Sequence, residues 1–124
     1  MISKARSDVE EWRGKLIFVY LPHLARYCAD AVGTGILFDV NYCRKSLPSD
    51  IERQEEKRRQ VIGRVEYLDV PVVDMTSIFD KLESKKLLFT SFGWHYSAYG
   101  YAKVAQAVLK KLDDLGYDGT SPLN

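Results

Sequence analysis

Residues 2–13 place Ile2, Ala5, Val9 and Trp12 on one face of a helical wheel, and Gly14 follows as a C-cap, which predicts a short amphipathic helix. Residues 16–21 are apolar without a break and end at Pro22. A strand with no polar alternation is one covered on both faces, the pattern of parallel sheets in α/β proteins. Residues 23–48 lack strong periodicity, although residues 36–40, after Gly33-Thr34-Gly35, read as an extra short strand. The words Pro48-Ser49-Asp50-Ile51-Glu52 predict a helix start, with Ser49 and Glu52 at capping-box spacing, and the helix runs through Ile62 and Val65 to about Tyr67. Val70-Pro71-Val72-Val73-Asp74 is the second strand, so that strand, helix and strand follow in the order of a right-handed parallel βαβ unit. Asp74 then stands where it can cap a short helix carrying Ile78, Phe79 and Leu82. In the last segment Val104, Ala105, Val108, Leu109, Leu112 and Leu115 repeat at helical spacing, with Ser97 ahead as N-cap and Gly116 as the stop. Residues 117–124 carry no core pattern and read as a flexible tail.

The reading is therefore of an α/β chain with at least two parallel strands and three to four helices. A chain of 124 residues has room for one domain and a modest core. Its composition, 46% hydrophobic and 28% charged, is that of a globular protein rather than a disordered or membrane one. A net charge of +1 gives no electrostatic reason to expect nucleic acid or an anionic membrane as partner. The mixed-sign run Glu52-Arg53-Gln54-Glu55-Glu56-Lys57-Arg58-Arg59 reads as a solvated helix face held by i to i+3 and i+4 pairs. The longest apolar runs are about six residues against the roughly twenty that a membrane-spanning helix needs, and Met1 opens a charged amphipathic segment rather than a cleavable leader. These features leave the compartment open.

The chemistry centres on Phe92-Gly93-Trp94-His95-Tyr96-Ser97-Ala98-Tyr99-Gly100-Tyr101. His95 falls at the N-terminus of the final helix, where the positive end of the helix dipole disfavours the imidazolium and leaves a neutral ring able to take a proton. The plain alternative is that His95 only packs beside Trp94 and Tyr96. The loop after the first strand leaves from the strand's carboxyl end, the edge where open α/β sheets bind ligands. His23, Arg26 and Tyr27, with Asn41, Tyr42 and Arg44, are the residues there that can shape a substrate mouth; locally packed loop residues are the alternative. Gly33 and Gly35 make no nucleotide fingerprint, since no third glycine and no helix follow at the required spacing. Cys28 and Cys43 lack metal-ligand spacing and are too few for a disulfide scaffold. They admit pairing across the loop in an oxidising compartment, but two free thiols are the expectation. No cofactor or metal is implied.

The words His95-Tyr96-Ser97, Gly100-Tyr101 and Val104-Ala105 resemble the last block of the SGNH (GDSL-like) hydrolase and acyltransferase family, and the two apolar strands resemble that family's last two. The resemblance spans roughly residues 1–112 and is specific around His95. It implies that residues 1–116 are the C-terminal half of a flavodoxin-like three-layer α/β/α sandwich, supplying its fourth and fifth parallel strands. It further implies a serine hydroxyl attacking an ester carbonyl with His95 as general base, and an acyl-enzyme that passes its acyl group to water or to a sugar hydroxyl. By analogy with family members the substrate is an acylated small molecule or carbohydrate. The family usually places an aspartate three residues before the histidine, and here that position is Phe92; no Gly-Asp-Ser word occurs in the chain. The nucleophile and oxyanion hole must then come from an upstream half of the domain or a partner chain, and the isolated chain should be inactive. An acceptor near Thr90 or Ser91, or the Asp74 carboxylate, is needed to orient the ring. Two other readings stay open: a binding or structural α/β module in which His95 is packing, and a cysteine enzyme pairing Cys28 or Cys43 with His23 or His95.

Overall fold

The computed structural model describes residues 1–28, Cys43, 48–90 and 95–117. Among these residues the chain is an α/β protein with four α-helices and a two-stranded parallel sheet. Helix α1 (Ile2–Glu11) leads to strand β1 (Phe18–Tyr20) and a 3-10 turn (Leu24–Tyr27). The long helix α2 (Pro48–Tyr67) returns the chain to strand β2 (Val72–Asp74), followed by the short helix α3 (Met75–Phe79), a second 3-10 turn (Lys86–Leu88) and helix α4 (Ala98–Asp114). β1 pairs with β2 in the register Phe18 with Val72, Val19 with Val73 and Tyr20 with Asp74, so the parallel βαβ unit is present. The extra strand expected at 36–40, Asn41, Tyr42 and Arg44, and the tail beyond Tyr117 lie outside the described residues.

The helix ends differ from expectation in instructive ways. α1 closes with Arg13 rather than a glycine in the left-handed region, at φ 57°. The amide of Arg13 bonds to the Glu10 carbonyl and that of Gly14 to the Val9 carbonyl, the Schellman pattern shifted by one residue. Gly14 serves close approach instead, because a β-carbon there would meet the Val9 side chain at 2.8 Å. α2 begins at Pro48, whose missing N–H costs nothing at a first helical position, so Ser49 lies inside the helix and is not the expected cap. The stop at Gly116 is as expected, with φ 74° and a bond from the Tyr117 amide to the Leu112 carbonyl at 2.9 Å.

The core gathers around β2 and the segments C-terminal to it. Val73, Met75, Phe79, Leu88 and Phe89 pack with Leu24 and Tyr27, and Val104 and Ala107 of α4 close over them. Cys28 and Cys43 belong to this core and are bridged, which corrects the expectation of free thiols. Their α-carbons stand 5.1 Å apart, inside the range a disulfide spans. The run at residues 16–21 also departs from expectation. None of its side chains is buried, and no described strand pairs with the outer edge of β1.

Candidate functional site

The frame that positions His95 is built from backbone bonds on either side of it. Phe89 and Tyr96 form an antiparallel bridge, and the Thr90 amide and hydroxyl donate to the His95 carbonyl at 2.9 and 3.3 Å. Ser97 caps α4 as expected: its hydroxyl oxygen accepts from the Gly100 amide at 3.1 Å, while its own amide donates to the Leu88 carbonyl at 2.8 Å. Gly100 is buried in this contact, and a β-carbon there would collide with the Leu88 carbonyl oxygen. Together these bonds fix the histidine's backbone at the mouth of the helix while its side chain remains exposed.

Tyr96 ties that mouth to the carboxyl end of β1. Its ring stacks on Phe89 at 4.7 Å, and its hydroxyl donates to the carbonyl of Pro22, two residues beyond the strand. Burial pushes the Tyr96 phenol above its ordinary pKa, so the hydroxyl stays a donor across the physiological range. The two histidines of the chain each flank one end of this bond, His95 before Tyr96 and His23 after Pro22. The segments that carry them therefore meet at the carboxyl edge of the sheet, where open α/β sheets hold ligands.

Of the three mouth residues, His23 is the exposed one. It caps the first 3-10 turn, its Nδ1 accepting from the Ala25 amide at 3.2 Å, and desolvation lowers its pKa, so the ring is a neutral imidazole with its proton on Nε2. Arg26 is clamped between two carboxylates. Its Nε and Nη2 fork onto Asp80 at 3.2 and 2.7 Å, and its Nη1 donates to Glu55 at 2.6 Å. Tyr27 is a core residue, 2% exposed, with its ring 6.0 Å from Phe89. Among the described residues its hydroxyl has no hydrogen-bond partner of good geometry, and burial first, with the nearby Asp80 carboxylate second, raises its pKa.

A second arginine continues the chain of charge. Arg58 pairs with both Glu55 and Asp74, its Nε reaching the Asp74 carboxylate at 3.0 Å. Asp74 also accepts from the Thr76 amide at 3.1 Å and the Ser77 hydroxyl at 3.1 Å, so it is the cap of α3 and a partner of α2. Burial opposes its ionisation, but the Arg58 guanidinium, the Ser77 hydroxyl and the Thr76 amide outweigh that and hold its pKa below the ordinary carboxylate range. The run Asp80–Arg26–Glu55–Arg58–Asp74 thus closes the carboxyl edge of the sheet with two guanidiniums and three carboxylates. Glu55 and Arg58 were expected on a solvated face. Their missed signal is spacing, since positions 51, 55, 58, 62 and 65 share one stripe of α2 with Ile51, Ile62 and Val65.

Chemically, the edge offers an accessible imidazole on a rigid backbone and an arginine pair whose charge is already neutralised. The bridge between Cys28 and Cys43 removes both thiols as nucleophiles, which corrects the cysteine-enzyme alternative. Among the described residues no group of three or more His, Cys, Asp or Glu side chains is arranged to hold a metal ion, and no helix is long and apolar enough to cross a membrane. Phe92 and Ser91 lie outside the described residues. Comparison with family models, curated proteins and solved structures finds no match.

Proposed function

We propose that this chain is the C-terminal half of an SGNH-type esterase or O-acyltransferase domain acting on acylated small molecules or carbohydrate, with His95 as general base. The observation that carries the reading is the exposure of His95 at the capped mouth of α4, on a segment bonded through Tyr96 to the carboxyl end of β1. In this reading β1 and β2 are the fourth and fifth strands of a flavodoxin-like sheet. The serine and the oxyanion-hole donors come from polypeptide outside these residues. The serine hydroxyl gives its proton to His95 as it attacks the ester carbonyl, and His95 returns that proton to the departing alcohol. Water or a sugar hydroxyl then takes the acyl group by the same exchange in reverse.

Asp74 is bound up in its cap and in Arg58, so the carboxylate that would orient His95 is not supplied by β2. The test is ester hydrolysis by the assembled domain. His95→Ala should lower kcat by about 10³-fold or more, as loss of a catalytic base does, while residues 1–124 alone leave p-nitrophenyl acetate at its spontaneous rate. Unchanged turnover in the His95→Ala assembly would favour the alternative, a non-catalytic α/β module in which this histidine is only a surface side chain.

A further inference from the structure

Two cavities lie at the amino end of the sheet, the opposite end from His95 and His23. One, of about 200 Å³, opens between the connection from α1 to β1 and the turn from α2 to β2. The other, of about 400 Å³, shares Arg6, Glu10 and Asp69 with the first, so the two make one cleft along α1. The smaller cavity is lined by residues of two kinds. Val70, 3% exposed, with Leu16, Pro71 and Leu115 gives it apolar surface, while Arg6, Glu10, Lys15 and Asp69 give it four charges that cancel.

Two of those charges are committed to each other. The Arg6 Nε donates to Glu10 at 2.8 Å, and its Nη1 donates to the Leu68 carbonyl at 2.6 Å, which fastens α1 to the end of α2. The Lys15 ammonium and the Asp69 carboxylate make no hydrogen bond or ion pair among the described residues. A free cation and a free anion beside apolar surface narrow the chemistry of a ligand. An anion alone would meet Glu10 and Asp69, and a cation alone would meet Arg6 and Lys15. A neutral apolar molecule would strip water from both free charges and give nothing back. A molecule carrying both charges and an apolar group answers all three demands. Its size follows from the volume: about 150 Å³ holds a benzene, so the cavity of about 200 Å³ takes a molecule of leucine size. Lys15 and Asp69 are exposed and Val70 is buried, which keeps the ligand's charged head at the mouth and its side chain inside.

We propose that this cleft binds a free apolar α-amino acid, with Lys15 holding its carboxylate, Asp69 its ammonium group, and Leu16, Val70, Pro71 and Leu115 its side chain. The ligand then joins the start of β1 to the turn before β2, the same two regions that Arg6 links from α1. Helix α1 buries none of its residues, so it is the element that such a bridge steadies most. The site stands apart from the carboxyl edge of the sheet and needs neither His95 nor a nucleophile from other polypeptide.

The experiment is a titration of residues 1–124 with L-leucine, followed by the amide resonances of Lys15, Leu16, Asp69 and Val70. Saturable shifts are expected with a dissociation constant of about 1 mM or tighter, the range of a ligand this small. Three probes each lack one of the matched groups: 3-methylbutylamine the carboxylate, 4-methylpentanoate the ammonium and glycine the apolar side chain. Each should bind about tenfold more weakly or worse, and so should L-leucine to Lys15→Gln and to Asp69→Asn. Both substitutions are at exposed positions, and asparagine tolerates the left-handed backbone of Asp69, φ 54°, as aspartate does, so the fold is kept. At ten times the dissociation constant, hydrogen exchange in α1 should slow about tenfold. Shifts that do not saturate by about 10 mM, a probe lacking one charge that binds as tightly as L-leucine, or affinity unchanged in both variants overturns the proposal. No ester and no catalytic base takes part in the titration, so its outcome is read separately from that of the His95→Ala assembly.

Discussion

The two strands of this protein are almost equally apolar in sequence, and the segments that contain them differ in burial. β2 and the residues after it carry Val73 at 6% exposure, Met75 and Phe79 at none and Phe89 at 1%. The run containing β1 is six consecutive apolar residues, none of which is buried. The difference is one of neighbours. α2 packs on both strands and α3 on β1, while α4 packs on β2, and no described strand pairs with the outer edge of β1. Hydrophobic content alone thus does not fix a segment's burial; the neighbours that the fold brings to it do.

The sharpest way to break that comparison is to truncate one aromatic on each side of it. Phe79→Ala removes a fully buried ring that packs 5.8 Å from Tyr96, and should cost about 3–5 kcal/mol in urea unfolding. Phe18→Ala, in the half-buried strand, should cost about 1–2 kcal/mol, because less of its surface leaves water on folding. Equal losses would mean that β1 is as well supported as β2.

The bridge between Cys28 and Cys43 acts on the buried side. It fastens the 3-10 turn after β1 to the core, across a sequence separation of 15 residues. Closing a loop of that size is worth about 3 kcal/mol through the unfolded state. Reductant, or the Cys28→Ala/Cys43→Ala pair, should lower the thermal midpoint of residues 1–124 accordingly, and His95 should keep its exposure because Ser97, Thr90 and Tyr96 hold its backbone independently. A midpoint unmoved by reductant would show that the bridge carries none of the core's stability.

Much of this layout was legible in the residues. The strand–helix–strand order, the end of α2 at Tyr67, the Ser97 cap and the Gly116 stop follow from periodicity and capping chemistry, which act within a few residues. What escaped depends on contacts far apart in the chain. The Arg26–Asp80 fork joins positions 54 residues apart, and the pairing of Cys28 with Cys43 is decided by where the core brings them, not by spacing. Glu55 and Arg58 looked solvated because their charges dominate a stripe whose geometry is that of Ile51, Ile62 and Val65. At the candidate site the histidine and its cap were readable, whereas the Tyr96 bond to Pro22, which brings the two histidine segments together, has no local signature.

The smallest predicted effect tests the charged staple between the two strands' trailing ends. Hydrogen bonding from Arg26, working against partial burial, lowers the pKa of Asp80; at Asp74 burial is the larger influence singly, but Arg58 and its neighbours together outweigh it and lower that pKa too. Both folded carboxylates thus lie below the unfolded value near 3.9. A carboxylate depressed on folding adds stability that is fully present well above the unfolded pKa and is lost as pH falls through it toward the folded value. The urea midpoint should therefore be level from about pH 8 to 5 and decline below about pH 4, where the unfolded chain takes up protons that the folded one resists. Because the Asp80 side chain is 40% exposed and that of Asp74 18%, solvent screens the Arg26–Asp80 pair more, and Asp74→Asn should flatten the acid decline more than Asp80→Asn does. Asp80 joins the turn after β1 to the end of α3, so Asp80→Asn should also raise hydrogen exchange in residues 24–27 while leaving β2 protected. Equal flattening by the two variants would mean that the ends of β1 and β2 are held alike, and the contrast between the strands would then be confined to their edges.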